Sequence, residues 1–315
     1  MTPPIVRTFD VTDVLPREVR GDRRLTIATW IFPPTGPVAG TPTVVALLNG
    51  GTYDKRYFHV QVDGRTGYSM AEHLAACGHL VILLDHLGVG ESGRAAKQMS
   101  VTRQVAAAAN HAALQQAYRG LAQGALIPGM APLDRFLKVG GGHSMGGMQT
   151  ITQQALHATY DRVLILGYTA IGVHLCLGGQ SVSAHPGDLD PAQPDYALRD
   201  RALLRATFHW DDVPDDVLAA DDALLVEVPY VLSTQSITAG IVSEDAGRIA
   251  VPVYLCLGER DVSPDPHAEP GYYRASPDVT LHILPRSAHC QNFASTRQVM
   301  WDRIDAWIRS IPADT

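Results

Sequence analysis

Short apolar runs alternate with helix-patterned stretches along most of this 315-residue chain. Val6–Val14 and Leu25–Ile31 alternate apolar and polar positions, which predicts a leading antiparallel pair. Thr43–Leu48 (TVVALL) is continuously apolar, as a strand buried on both faces must be, and it breaks at Asn49-Gly50-Gly51. Runs of this kind recur at His79–Leu84, Arg135–Val139, Arg162–Leu166, Val251–Leu257 and Val279–Leu284. Between them, Ser69–Cys77, the Pro-free and Ala-rich Val101–Gln123, and Gly146–His157 read as helices. Near the end Met300, Ile304, Trp307 and Ile308 fall at i, i+4, i+7 and i+8, one apolar face of a closing helix. This order predicts an α/β fold with a mostly parallel central sheet flanked by helices. Such a sheet binds its ligands at the carboxyl ends of the strands.

One stretch breaks the rhythm. Residues 173–250 are too many for a loop and hold no clean buried strand. They carry 13 acidic residues against 4 arginines, yet include Leu203, Leu204, Phe208, Trp210 and the apolar run Leu224–Leu232. The expectation is a mainly helical insertion, lying as a lid over the carboxyl edge just before the penultimate strand. Residues 1–172 and 251–315 then form the core.

Composition narrows the function classes. With 46% hydrophobic and 18% charged residues the chain can bury a sizeable core. Its net charge of −7, with no Lys/Arg run, argues against nucleic acid and anionic membrane as partners. The start MTPPIVRTFD has no apolar signal-peptide core, and no apolar run reaches the roughly 18 residues of a membrane span. Cys77, Cys176, Cys256 and Cys290 are scattered without C-x-x-C spacing, which fits reduced thiols and a cytoplasmic location. Neither a metal-ligand cluster nor a dinucleotide fingerprint is present, so no metal or cofactor is expected.

Gly142-His143-Ser144-Met145-Gly146-Gly147 is the strongest chemical signal. It follows a predicted strand and opens a predicted helix, the context in which G-x-S-x-G presents a nucleophile. A serine on so tight a turn sits in strained backbone, and bulky residues at −2 and +2 would clash with it. The turn also leaves the Met145 N–H aimed at the helix start, where negative charge is favoured. A serine hydroxyl needs a base. His289, just after the last predicted strand, lies at the same sheet edge; of the other histidines, His86 is a pocket-lining candidate and His143 packs beside the turn. Asp261, after the penultimate strand, is the preferred acid to orient His289, with Glu259 close by. A second oxyanion donor is expected from the turn after the third strand, Gly51 first and Thr52 second.

These pieces resemble the α/β-hydrolase superfamily over nearly the whole chain. The matching segments are Leu48–Gly51, Asp85–Ser92, Gly142–Gly147, Gly258–Asp261 and Ser287–His289. One departure is that many relatives have His-Gly where this chain has Asn49-Gly50. Serine at the elbow, in place of aspartate, argues against the dehalogenases and epoxide hydrolases of the same fold. The resemblance implies acyl transfer to water on a Ser144–His289–Asp261 triad, with Met145 and Gly51 holding the oxyanion. The acidic insertion disfavours polyanionic substrates and suits a neutral, largely apolar and bulky ester or lactone. Thr52, Trp210, Phe208 and Tyr230 are the candidate substrate contacts. Carbon–carbon or thioester hydrolysis on the same triad, a lyase or cofactor-free peroxidase, and a non-catalytic small-molecule receptor are the alternatives. Assembly into a homo-oligomer stays open.

Overall fold

The computed structural model describes residues 3–177, 180–182, 189–190, 192–197 and 201–310. The apolar runs become eight strands: β1 Ile5–Asp10, β2 Thr26–Phe32, β3 Thr43–Leu48, β4 Leu80–Leu84, β5 Leu137–His143, β6 Arg162–Leu166, β7 Val253–Gly258 and β8 Val279–Leu284. They form one sheet in the order β1-β2-β4-β3-β5-β6-β7-β8. β2 runs antiparallel to both β1 and β4, and the remaining neighbours are parallel. Among the described residues the helices longer than a single turn are α1 Met70–Ala76, α2 Arg103–Ala122, α3 Met145–His157, α4 Arg201–Phe208, α5 Asp215–Asp222, α6 Tyr230–Ser236 and α7 Arg297–Ser310.

Three layers follow from the pattern. Along β3, Val44, Ala46 and Leu48 pack with the α2 and α3 side chains Ala109, Ala113, Met148 and Ile151. The alternate residues Val45 and Leu47 pack on the other face with Met70 and Leu74 of α1 and Trp301 and Ile304 of α7. This two-residue period, with both faces covered, is why the strand reads as one apolar run. Each such Val or Leu contributes roughly 1.5–3 kcal/mol by leaving water. α1 and α2 begin where capping predicts: Ser69 Oγ accepts from Glu72 N at 3.0 Å and Thr102 Oγ1 from Val105 N at 3.4 Å.

Three strands differ by two residues or more from the sequence expectation. β1 stops at Asp10 rather than Val14, because Asp10 Oδ1 accepts the Thr12 N–H at 3.0 Å and folds the chain into a 3-10 turn. β7 starts at Val253, after Pro252, which has no N–H to give a ladder. β5 starts at Leu137 and continues through all three glycines to His143. A Cβ at Gly140 would lie 2.3 Å from the Tyr160 ring, so these glycines permit close packing rather than ending the strand.

Residues 173–250 lie between β6 and β7. Beside α4, α5 and α6 they hold two short antiparallel pairings, Leu175–Leu177 with Gln180–Val182 and Tyr196–Ala197 with Val228–Pro229, which the sequence did not reveal. Leu204, Phe208, Val213 and Val217 join the apolar cluster of the α1/α7 face. Val228, Leu232, Val242, Ala246 and Ile249 join that of the α2/α3 face. Among the described residues, no helix is long and apolar enough to cross a membrane.

Candidate active site

The turn from β5 into α3 is built around Ser144, which takes φ 54° and ψ −119°. That conformation is costly for a residue with a Cβ and persists only where its surroundings fix it. The surroundings are tight. A Cβ at Gly142 would lie 2.2 Å from the Gly146 carbonyl, and one at Gly146 would lie 1.9 Å from Leu48 O. Ser144 N–H donates to Leu166 O at 2.8 Å, which pins the turn to the end of β6.

The turn after β3 faces this elbow. Gly50 approaches it so closely that a Cβ there would lie 3.2 Å from that of Ser144. Asn49, fully buried, donates from Nδ2 to the carbonyls of Gly50, at 3.2 Å, and of Tyr53. The Asn49 carbonyl in turn accepts the Nε2–H of His86 at 2.8 Å. Burial pushes His86 down to about 4, so its ring is neutral and its Nδ1 faces Asn110 Nδ2 at 3.4 Å. Thr52 has φ 68°, a second strained residue beside the first. Among the described residues, neither the Gly51 N–H nor the Met145 N–H has an acceptor. Directly after the turn, buried Lys55 binds the Asp85 carboxylate at 2.6 Å and the Glu91 carboxylate at 2.6 Å. Asp85 also accepts the backbone N–H groups of Lys55 and Glu91.

The loops after β7 and β8 bring Asp261 and His289 together. His289 Nδ1–H donates to Asp261 Oδ1 at 2.7 Å, and both side chains are buried. Burial by itself would raise the Asp261 carboxyl. His289 and the N–H groups of Gly258 and Val262, at 2.8 and 2.7 Å, nevertheless hold it below the usual carboxylate range. Gln291 Nε2 adds a bond to Asp261 Oδ2 at 3.2 Å. Glu259, the other acid considered, instead accepts Arg286 N–H at 2.8 Å. Among the described residues no hydrogen bond joins Ser144 Oγ to His289; such bonds often tighten only when substrate is bound.

His143 links the two halves. Its ring stacks on Tyr57 at 4.5 Å, its Nε2–H donates to His289 O at 2.8 Å, and the two imidazoles lie 4.7 Å apart. Burial, then the neighbouring His289, pushes it down to about 3, so it stays neutral.

Residues 45–300 match the model of the Alpha/beta hydrolase family. The chain belongs to this family. A search of curated proteins gives no match for this hydrolase. Among solved structures, a soluble variant of monoglyceride lipase from Saccharomyces cerevisiae is 13% identical with a TM-score of 0.69, the alignment covering 98% of this chain and 96% of that one. An esterase from Rhodococcus sp. is 19% identical with a TM-score of 0.62, covering 91% and 96%. The enol-lactonase from Burkholderia xenovorans is 15% identical with a TM-score of 0.62, covering 92% and 98%. At such identities the likeness is one of fold.

Of the predicted substrate contacts, the hydrolase places Phe208 with its ring 5.3 Å from that of His289. Thr52 lies in the turn facing the elbow. Trp210 instead lies under the Arg260 guanidinium at 4.8 Å, and Tyr230 opens α6 with its hydroxyl 3.5 Å from Asp190 N. His86 does not line a pocket: it is fully buried behind Asn49. Composition had no means to point to Lys55, Gln291 or the buried Asp221, because each acquires its partners only when distant segments meet.

Proposed function

We propose that this hydrolase cleaves a carboxylic ester or lactone through an acyl-enzyme on Ser144. The observation that carries this reading is the convergence on one sheet edge of a strained serine, a buried His–Asp pair and two N–H groups without acceptors. Ser144 Oγ attacks the substrate carbonyl as His289 takes its proton at Nε2, and Asp261 stabilises the imidazolium through Nδ1. The oxyanion is held by the N–H groups of Gly51 and Met145, at the start of α3. His289 then protonates the leaving alcohol oxygen. It next takes a proton from water, whose oxygen attacks the acyl carbon, and returns that proton to Ser144 Oγ as the acyl–oxygen bond breaks and the acid leaves.

The substrate is neutral, largely apolar and bulky. The net negative insertion and the apolar Phe208 beside His289 favour such a molecule over a polyanion. The insertion acts as a lid over the serine. Esterase, lipase and lactonase relatives of the same fold agree with this class of chemistry. The test is hydrolysis of p-nitrophenyl esters of increasing acyl length by the wild type and Ser144→Ala. Turnover that disappears in the variant supports the nucleophile, and the chain-length optimum sizes the pocket. Absence of both turnover and fluorophosphonate labelling at Ser144 would refute the reading.

A further inference from the structure

Asp221 lies at the end of α5, inside the acidic insertion, yet its side chain is only 1% exposed. A carboxylate removed from water is costly unless its oxygens are bonded. Both are bonded here. Oδ1 accepts the Tyr53 hydroxyl at 2.7 Å, and Oδ2 accepts from His209 Nε2 at 2.9 Å. Tyr53 directly follows the Gly50–Thr52 turn, and its hydroxyl also lies 3.2 Å from the sulfur of Cys290, the residue after His289.

The backbone repeats this pattern. Thr207 O accepts the His289 N–H at 3.1 Å, Phe208 O accepts the Cys290 N–H at 2.8 Å, and Val226 N–H donates to Thr52 O at 3.0 Å. Residues 207–226 therefore grip both the oxyanion turn and the histidine loop. Asp221 ties α5 to the oxyanion turn through Tyr53, 168 residues away in the sequence.

We propose that Asp221 is a positioning residue that fixes the oxyanion turn and the histidine loop relative to each other through the insertion. This rests on the serine-hydrolase reading above. Displacing a reacting group by about 1 Å costs on the order of a hundredfold in rate, so a rigid tie between the two loops has a direct catalytic return. Asp221→Ala removes both bonds. Asp221→Asn keeps an oxygen for Tyr53 and offers an N–H to His209 Nε2, with the imidazole proton moved to Nδ1. Tyr53→Phe removes one hydroxyl only.

The experiment compares kcat, KM and inhibition by a trifluoromethyl ketone, whose adduct with Ser144 needs the oxyanion donors. Amide hydrogen exchange is read on the same proteins. In Asp221→Ala and Tyr53→Phe, kcat falls at least tenfold, KM changes less than threefold and the ketone inhibition constant rises in step with the loss of kcat. Segments 49–57 and 287–293 exchange at least tenfold faster while α1 exchanges as before. Asp221→Asn stays within threefold of wild type throughout. Wild-type kinetics and exchange in folded Asp221→Ala or Tyr53→Phe would overturn the proposal. So would uniformly faster exchange with kcat unchanged, which makes Asp221 a stability residue. Should wild type neither turn over nor label at Ser144, the hydrolase reading fails, and the exchange data alone decide whether Asp221 ties the loops.

Discussion

Replacing Gly142 by alanine tests how closely the turn around Ser144 is built. The added Cβ would lie 2.2 Å from both C and O of Gly146 and 2.8 Å from its Cα. Ordinary contact begins at 3.4 Å, so the first turn of α3 must withdraw by about 1.2 Å. The obstacle is backbone, which cannot swing aside as a long side chain does, and Ser144 lies between the two glycines and moves with them. A shift of this size should lower kcat on the order of a hundredfold. Overpacking should cost about 1–3 kcal/mol and lower Tm by several degrees. The assay is ester hydrolysis at saturating substrate, with circular dichroism to establish the folded fraction. Gly271→Ala is the control, because a Cβ there meets nothing within 4 Å, and it should change neither quantity. A Gly142→Ala protein with wild-type kcat and Tm would refute the reasoning.

Asp261→Asn should lower kcat by roughly 10⁴-fold, since an amide favours the wrong His289 tautomer. Steady-state rates at neutral pH decide it, and a loss below tenfold would point to another orienting acid. Because the folded Asp261 carboxyl is held low, its stabilisation is complete above the unfolded value of 3.8 and is lost as pH falls below that. The Tm gap between wild type and Asp261→Asn should therefore narrow only in acid. His143, held neutral down to about 3 against 6.5 when unfolded, gives its stabilisation fully above pH 6.5 and loses it between pH 6.5 and about 3. The decline of Tm across that interval should be shallower in His143→Phe, whose ring keeps the stack on Tyr57. Lys55→Met leaves the Asp85 carboxylate buried without its cation, at a cost of about 3–5 kcal/mol by urea unfolding. Lys55→Met/Asp85→Asn should recover part of that loss.

Three strands were read from sequence to the residue: β3 and β6, buried along their whole length, and the half-buried edge strand β8 have the limits that their runs predict. The β5 glycines misled because glycine signals a strand end by propensity, whereas here it serves close packing against Tyr160 and Leu164. The elbow was legible because its constraint is local, spanning the five residues Gly142–Gly146. Asp261 and His289 were predicted from chain order, and the structure sets them 2.7 Å apart. The Asp221–Tyr53 and Lys55–Asp85 pairs were not, because nothing in a window of sequence distinguishes a buried Asp or Lys from the solvated majority. Asp221 in particular is one of 13 acidic residues in its segment.

The strand order also bears on the protein while it is being made. β5 and the elbow leave the ribosome early, but His289 follows His143 by 146 residues, and β7 and β8 complete the sheet edge last. On the proposed triad, a nascent chain ending before β7 holds a strained serine with neither base nor acid. Synthesis order thus keeps the nucleophile inert until the last strands have added to β6, and a truncated product would carry the elbow without its chemistry.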